Sequence, residues 1–145
     1  MKLENNWKYK SLESLEKRNW DFLSNEESYL LTTCYKLTKK PVGDFDVEDL
    51  RIMIGQSIGL DFLIPLAIEV LDNDILAEGH FYEGDLLKSV LTSDIKYWKR
   101  EKSNWEIFCK LMENNLRKLN DFDTTRSIKK GWFDSYSNFK KINNN

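Results

Sequence analysis

The sequence predicts an all-α fold, an irregular bundle of six to eight helices forming one domain over residues 1–145. Three observations predict it. Apolar residues recur at spacings of three and four through most of the chain, the period of one buried helix face. No run of apolar/polar alternation is long enough for a strand, and neither Asn-Gly nor Asp-Gly marks a hairpin turn. Only two prolines are present to interrupt helices. A chain of this length buries roughly 70% of its unfolded surface, so a core forms without disulfide or metal staples.

The elements follow in order. Residues 1–10 show no clean period and read as a loose or short extended start, and 141–145 as a loosely ordered end. Leu12, Leu15 and Asn19/Trp20 give a short amphipathic helix from Ser11 to Trp20. Ser24 followed by Glu26 and Glu27 reads as a cap and acidic first turn. The inward stripe of that second helix is Tyr29, Leu30, Thr33, Cys34 and Leu37, and it must stop before Pro41. Asp46 is the N-cap of a third helix, with Glu48 and Asp49 in its first turn. Leu50, Met53, Ile54 and Ser57/Ile58 line that helix, and Gly59 reads as its end. Leu60–Leu71 has a broad apolar face and belongs deep in the core, with Pro65 in its first turn or at a kink. Asp72-Asn73-Asp74 stops it. Gly79 and Gly84 bracket a turn-rich loop, Asp85 opens the next helix, and Ser93 or Asp94 caps another. Asn104 begins a long helix with the stripe Trp105, Phe108, Cys109, Met112, Leu116 and Leu119. Thr124 or Thr125 caps a last helix through Ile128, Trp132, Tyr136 and Phe139.

Composition narrows the function classes. The formal net charge of −2 hides an uneven distribution. Between Pro41 and Leu87 eleven acidic residues face one base, Arg51, a local charge of −10, while the rest carries +8. A pI near 5.5 is far from the basic domains that grip phosphate, so direct nucleic-acid binding is not expected. With aromatics at 13% and five Trp, some rings are expected at a surface or interface. The N-terminal decad lacks the apolar run of a secretory signal, and no stretch reaches the roughly eighteen apolar residues of a membrane span. The expected location is the cytoplasm, where Cys34 and Cys109 remain thiols that pack as small apolar side chains.

Catalytic and cofactor chemistry finds little to work with. His80 is the single histidine, and both cysteines sit on apolar helix faces, a poor basis for a nucleophile–base pair. No Cys/His cluster has zinc spacing, and no glycine-rich phosphate loop is present. The run DFDVED at 44–49 lacks the alternating ligands, sixth-place glycine and closing glutamate of a calcium loop, so it reads as an acidic helix start. The expectation is a non-enzyme with no cofactor and no metal.

What remains is a binding surface. Asp72, Asp74, Glu78, Glu83 and Asp85 fall in or beside turns and are expected to be exposed. Asp44, Asp46 and Asp49 lie at another turn and helix start. Brought to one side, they would present a negative face that speeds encounter with a basic partner, with Phe81 and Tyr82 as aromatic anchors. Helix starts favour acids in any case, so spacing alone leaves open whether these charges share a face or point in several directions.

The block LRIMIGQSIGLDFLIPLAIEVL, then ILAEGHFYEGDLLKSVL and Trp98, resembles the immunity proteins of contact-dependent growth inhibition (CDI) systems. The matching features are Leu50-Arg51, Gln56, Leu63 with Pro65-Leu66-Ala67, and Gly79 with Phe81-Tyr82 and Gly84-Asp85-Leu86-Leu87. The segment LESLE at 12–16 and Pro41 fit as well, and the likeness spans about residues 11–100. His80 departs from it, standing where an acidic residue is expected. The resemblance implies a non-enzymatic antitoxin that binds the C-terminal toxin domain of a cognate CDI effector, with a basic nuclease as the expected target. The acidic middle segment is the complement to such a target's basic groove, and the contacts are expected at the acids around 72–85 with Tyr82. Read without the resemblance, the same residues suit a cytoplasmic helical adaptor or regulator unconnected with toxins.

Overall fold

The computed structural model describes residues 3–20 and 28–144. Among them are eight α-helices and no strand: α1 (Leu12–Glu16), α2 (Tyr29–Leu37), α3 (Val47–Gly55), α4 (Leu60–Asn73), α5 (Asp85–Leu91), α6 (Ile95–Arg100), α7 (Lys102–Asp121) and α8 (Arg126–Lys140). Two 3-10 turns, Trp7–Tyr9 and Val42–Asp44, pack on each other, and the only extended pairing is two isolated bridges, Ser11 with Pro41 and Glu78 with Glu83.

The strongest helix starts follow their local signals. The Asp46 carboxylate accepts the Asp49 amide at 2.8 Å while the Asp49 carboxylate accepts the Asp46 amide at 3.1 Å, a reciprocal capping box. Asp94 and Thr125 cap α6 and α8 with one bond each, accepting the amides of Lys96 and Ile128. The Ser24 cap and its acidic turn lie outside the described residues; α2 starts after Ser28, whose side chain makes no capping bond.

The boundaries differ from expectation in four places. Helix α1 ends at Glu16 instead of reaching Trp20, because Lys17 adopts a left-handed conformation (φ 51°) that turns the chain. Gly59 does not end α3, which stops at Gly55; it is instead the N-cap of α4. Pro65 lies past the first turn of α4, so the Asp61 carbonyl loses its partner four residues on. Helix α7 begins at Lys102, two residues before Asn104. Described residues near both ends make tertiary contacts. Trp7 packs against Phe62, the Val42 amide donates to the Lys10 carbonyl, and the Asn143 side chain donates to the Trp98 carbonyl at 3.0 Å.

Helices α4 and α5 sit at the centre. Leu63, Ile64, Ala67 and Leu71 of α4 and Leu86, Leu87, Val90 and Leu91 of α5 are buried, between α3 on one side and α7 and α8 on the other. On α7 the buried stripe is Trp105, Phe108, Leu111, Met112 and Leu119, while Cys109 and Leu116 are only half-buried. Trp98, Phe108 and Phe139 form an edge-to-face cluster with centroids 4.8–5.8 Å apart. Four of the five tryptophans are buried, and among the described residues the exposed rings are Tyr9, Tyr29 and Phe81. Among the described residues no helix is long and apolar enough to cross a membrane.

One departure bears on function. Cys34 and Leu37 of the α2 stripe are buried, but Tyr29 is 84% and Leu30 38% exposed. The first turn of α2 reaches the core through Leu31, which is half-buried, and leaves Tyr29 and Leu30 on the outer side.

Candidate functional site

The loop between α4 and α5 is built around two carboxylates. Asp85, expected at the surface, is 3% exposed. Its Oδ1 accepts the Gly79 amide at 2.7 Å and its Oδ2 the amides of Phe81 at 3.0 Å and Tyr82 at 3.4 Å. A short acid at the start of α5 thus folds the preceding loop back over itself instead of facing solvent. Glu48, in the first turn of α3, accepts both Nε and Nη2 of Arg51 at 2.6 Å, a two-pronged pair, and its Oε1 also accepts the His80 amide at 2.9 Å. Arg51 Nε lies 3.8 Å from Asp85, closing the network from α3 to α5. Gly79 allows this closeness: a Cβ there would stand 2.5 Å from Glu48 Oε1.

The Arg51 guanidinium, and after it the His80 amide, hold the Glu48 carboxyl below the usual carboxylate range. A depressed folded-state value means that Glu48 stabilises the fold fully above its ordinary value of 4.5, and that this stabilisation is lost as pH falls through the lower folded value. Glu48→Gln therefore flattens the acid limb of stability against pH, which denaturant midpoints between pH 7 and 3 will measure.

The network presents an aromatic ring to solvent. Phe81 is 70% exposed, with the Arg51 guanidinium 4.3 Å from its centroid on one side. Tyr82 is half-buried, and desolvation raises its phenol above the ordinary range, with Asp85 adding to the effect. Glu78 and Glu83 flank the loop, both exposed and opposed across the antiparallel bridge. Like charges placed so repel, and the backbone bonds to Asp85 hold the arrangement in spite of that.

Ion pairing sorts the acids of the middle segment. Glu48, Asp49, Asp61, Glu69 and Asp85 lie against Arg51, Lys40, Arg100, Lys8 and Arg51 respectively. The remaining six, Asp44, Asp46, Asp72, Asp74, Glu78 and Glu83, are exposed and have no ion pair among the described residues. Their positions are not all one patch. Glu48 joins the 44–49 region to the 78–83 loop, whereas Asp72 lines a different groove of about 330 Å³ between α4 and α7, beside Ile107 and Lys110. Asp74 stands at the end of α4, its carboxylate accepting the Leu76 amide.

The residues that sequence reasoning passed over are Glu48 and Arg51, the scaffold of the loop, and Tyr29 and Leu30. The last two, with Ile52, Gln56 and Phe81, line a groove of about 640 Å³ between α2, the outer face of α3 and the loop. Elsewhere the chemistry is inert. Burial pushes the thiol of Cys34 up and that of Cys109 up to about 11, with Glu113 adding to the latter. Among the described residues no group of three or more His, Cys, Asp and Glu side chains is placed to hold a metal ion.

A family model describing CDI immunity proteins matches residues 14–108, about two thirds of the chain. The chain belongs to the CDI immunity proteins. An immunity protein of this family is an inhibitor of a CDI toxin and not an enzyme. The comparisons find no matching curated protein and no matching solved structure. In the immunity protein the matched span holds α1 to the first turns of α7, with the whole Glu48–Arg51–Asp85 network and the groove. It leaves out most of α7 and all of α8, although α8 touches the site. Trp132 of α8, fully buried, donates its indole N–H to the Gly84 carbonyl at 3.1 Å.

Proposed function

We propose that this immunity protein binds the C-terminal toxin domain of its cognate CDI effector in the cytoplasm through the acidic surface of the 78–83 loop and the start of α3, and that the toxin is a basic nuclease. The observation that carries this reading is the pair of exposed carboxylates Glu78 and Glu83, which have no ion pair among the described residues and are held against their own repulsion on either side of Phe81. A nuclease must hold phosphates, so its substrate groove is basic, and a Lys or Arg there relieves that repulsion on docking. Negative potential on one partner and positive on the other raises the association rate above the roughly 10⁵–10⁶ M⁻¹s⁻¹ of uncharged encounters. Phe81 supplies the aromatic anchor that such interfaces place at their centre.

The test separates the two acidic regions. Glu78→Lys with Glu83→Lys is expected to slow association with the toxin domain by about tenfold or more at low salt, an effect that shrinks as salt is added. Asp72→Lys with Asp74→Lys, in and beside the α4/α7 groove, is expected to do less. Stopped-flow association and a growth-protection assay read both. Unchanged rates and full protection with the loop reversed would remove that surface from the interface.

A further inference from the structure

We infer that the groove between α2 and the 79–81 loop receives a segment of the toxin domain in which an apolar side chain is flanked by Lys or Arg. The inference rests on the toxin-binding reading above and names what enters that site.

The apolar half of the argument is the placement of three exposed side chains. Tyr29 and Leu30 stand on the first turn of α2, where helical spacing would bury them, yet nothing in the described chain covers them. Across the groove Phe81 is 70% exposed, its amide bound to Asp85 and its ring against the Arg51 guanidinium. Large apolar groups kept exposed around one concavity mark a recognition surface rather than ordinary surface scatter. The volume, about 640 Å³, is nearly twice that of the α4/α7 groove and suits an inserted side chain with its neighbours.

The charged half fixes the partner's chemistry. Among the described lining residues Arg51 is the single permanent cation, and two carboxylates, Glu48 and Asp85, already face it, so the network carries a net −1. Asp49 on the rim is satisfied by Lys40 at 2.7 Å. Asp46 shares the charge of Lys40 with Asp49, whereas Glu78 and Glu83, which flank the lining residues His80 and Phe81 in the chain, are exposed and have no ion pair among the described residues. A purely apolar segment would bury these carboxylates' surroundings without compensation, and an acidic one would be repelled. A segment with an apolar centre and basic flanks satisfies both halves.

The experiment uses the full chain and the C-terminal domain of its cognate CDI effector. Benzoylphenylalanine in place of Leu30 is expected to cross-link, on irradiation, to a toxin peptide holding an apolar residue next to Lys or Arg. The same photoreactive residue in place of Ile107, in the α4/α7 groove, is expected to give no such product. Tyr29→Ala with Phe81→Ala is expected to weaken binding by about thirtyfold or more, the scale of a hot-spot loss, with an unchanged melting temperature. Toxin binding by wild type together with undiminished binding by the double variant, or cross-links from position 30 only to a second copy of this chain or to an acidic peptide, would overturn the inference and leave the antitoxin reading standing. Failure of the wild-type chain to bind the toxin domain at all would overturn both.

Discussion

Asp85→Ala is expected to lower the melting temperature by about 10 °C and to abolish toxin binding at temperatures where the protein is still folded. The side chain is nine-tenths or more enclosed and serves three amides of the loop. Removing it orphans those N–H groups, each costing about 1–3 kcal/mol when buried, and takes away one of the two carboxylates facing Arg51. Partial relaxation of the loop toward water offsets some of this, so a loss of about 3 kcal/mol is the central expectation. For a chain of this size each kcal/mol is worth about 2–4 °C. Asp85→Asn keeps an amide oxygen that still accepts one or two of the N–H groups and is expected to recover roughly half of the loss. Glu83→Ala, exposed and without an ion pair, is expected to stay within about 0.5 kcal/mol of wild type. Calorimetric melting of the three variants decides the matter. Equal melting of the Asp85 and Glu83 alanine variants would show that the carboxylate does not hold the loop.

The contrast between those two acids explains what the sequence made legible. Asp46, Asp94 and Thr125 were readable as caps because a cap is a local device, a side chain bonded to an amide two or three residues on. The all-α class was readable for the same reason, since helical spacing is a short-range signal. Asp85 carries an identical local signal, an acid opening a helix, but its amides lie upstream in a loop whose path depends on Glu48 and Arg51 more than thirty residues away. Nothing in the spacing of EGHFYEGDLL says that the acid turns inward. Tyr29 and Leu30 fail differently. The pattern placed them on the inward stripe of α2, but in the first turn it is Leu31 that packs against the core, and only further along do Cys34 and Leu37 become buried. The groove they line is therefore visible only once the helices are placed. The negative charge of the middle segment was legible as a sum; its division into five paired and six unpaired carboxylates was not.

Gly84→Ala is the second substitution with a large expected effect, about 2–5 kcal/mol, and its steric part comes from outside the family-matched span. Gly84 adopts φ +90°, which costs a residue with a Cβ about 1–2 kcal/mol. A Cβ there would also stand 2.2 Å from Cζ2 of Trp132, a fully buried ring with no room to retreat, and overpacking of this kind costs about 1–3 kcal/mol. Trp132→Ala alone leaves a cavity and is expected to cost about 3–5 kcal/mol. The two losses are not expected to add. With the indole gone the new methyl group enters vacated space and only the backbone term persists, so the double variant should be more stable than the sum of the single losses predicts by more than about 1 kcal/mol. Urea denaturation of the four proteins measures that coupling, and additivity within about 0.5 kcal/mol would mean that the ring is not what requires glycine at 84. The coupling matters for function because Gly84 precedes Asp85 and ends the loop that presents Phe81. Helix α8 then acts as a buttress beneath the proposed binding surface, and if that surface is the interface, losses at Trp132 should reach toxin affinity as well as stability although its side chain is wholly enclosed.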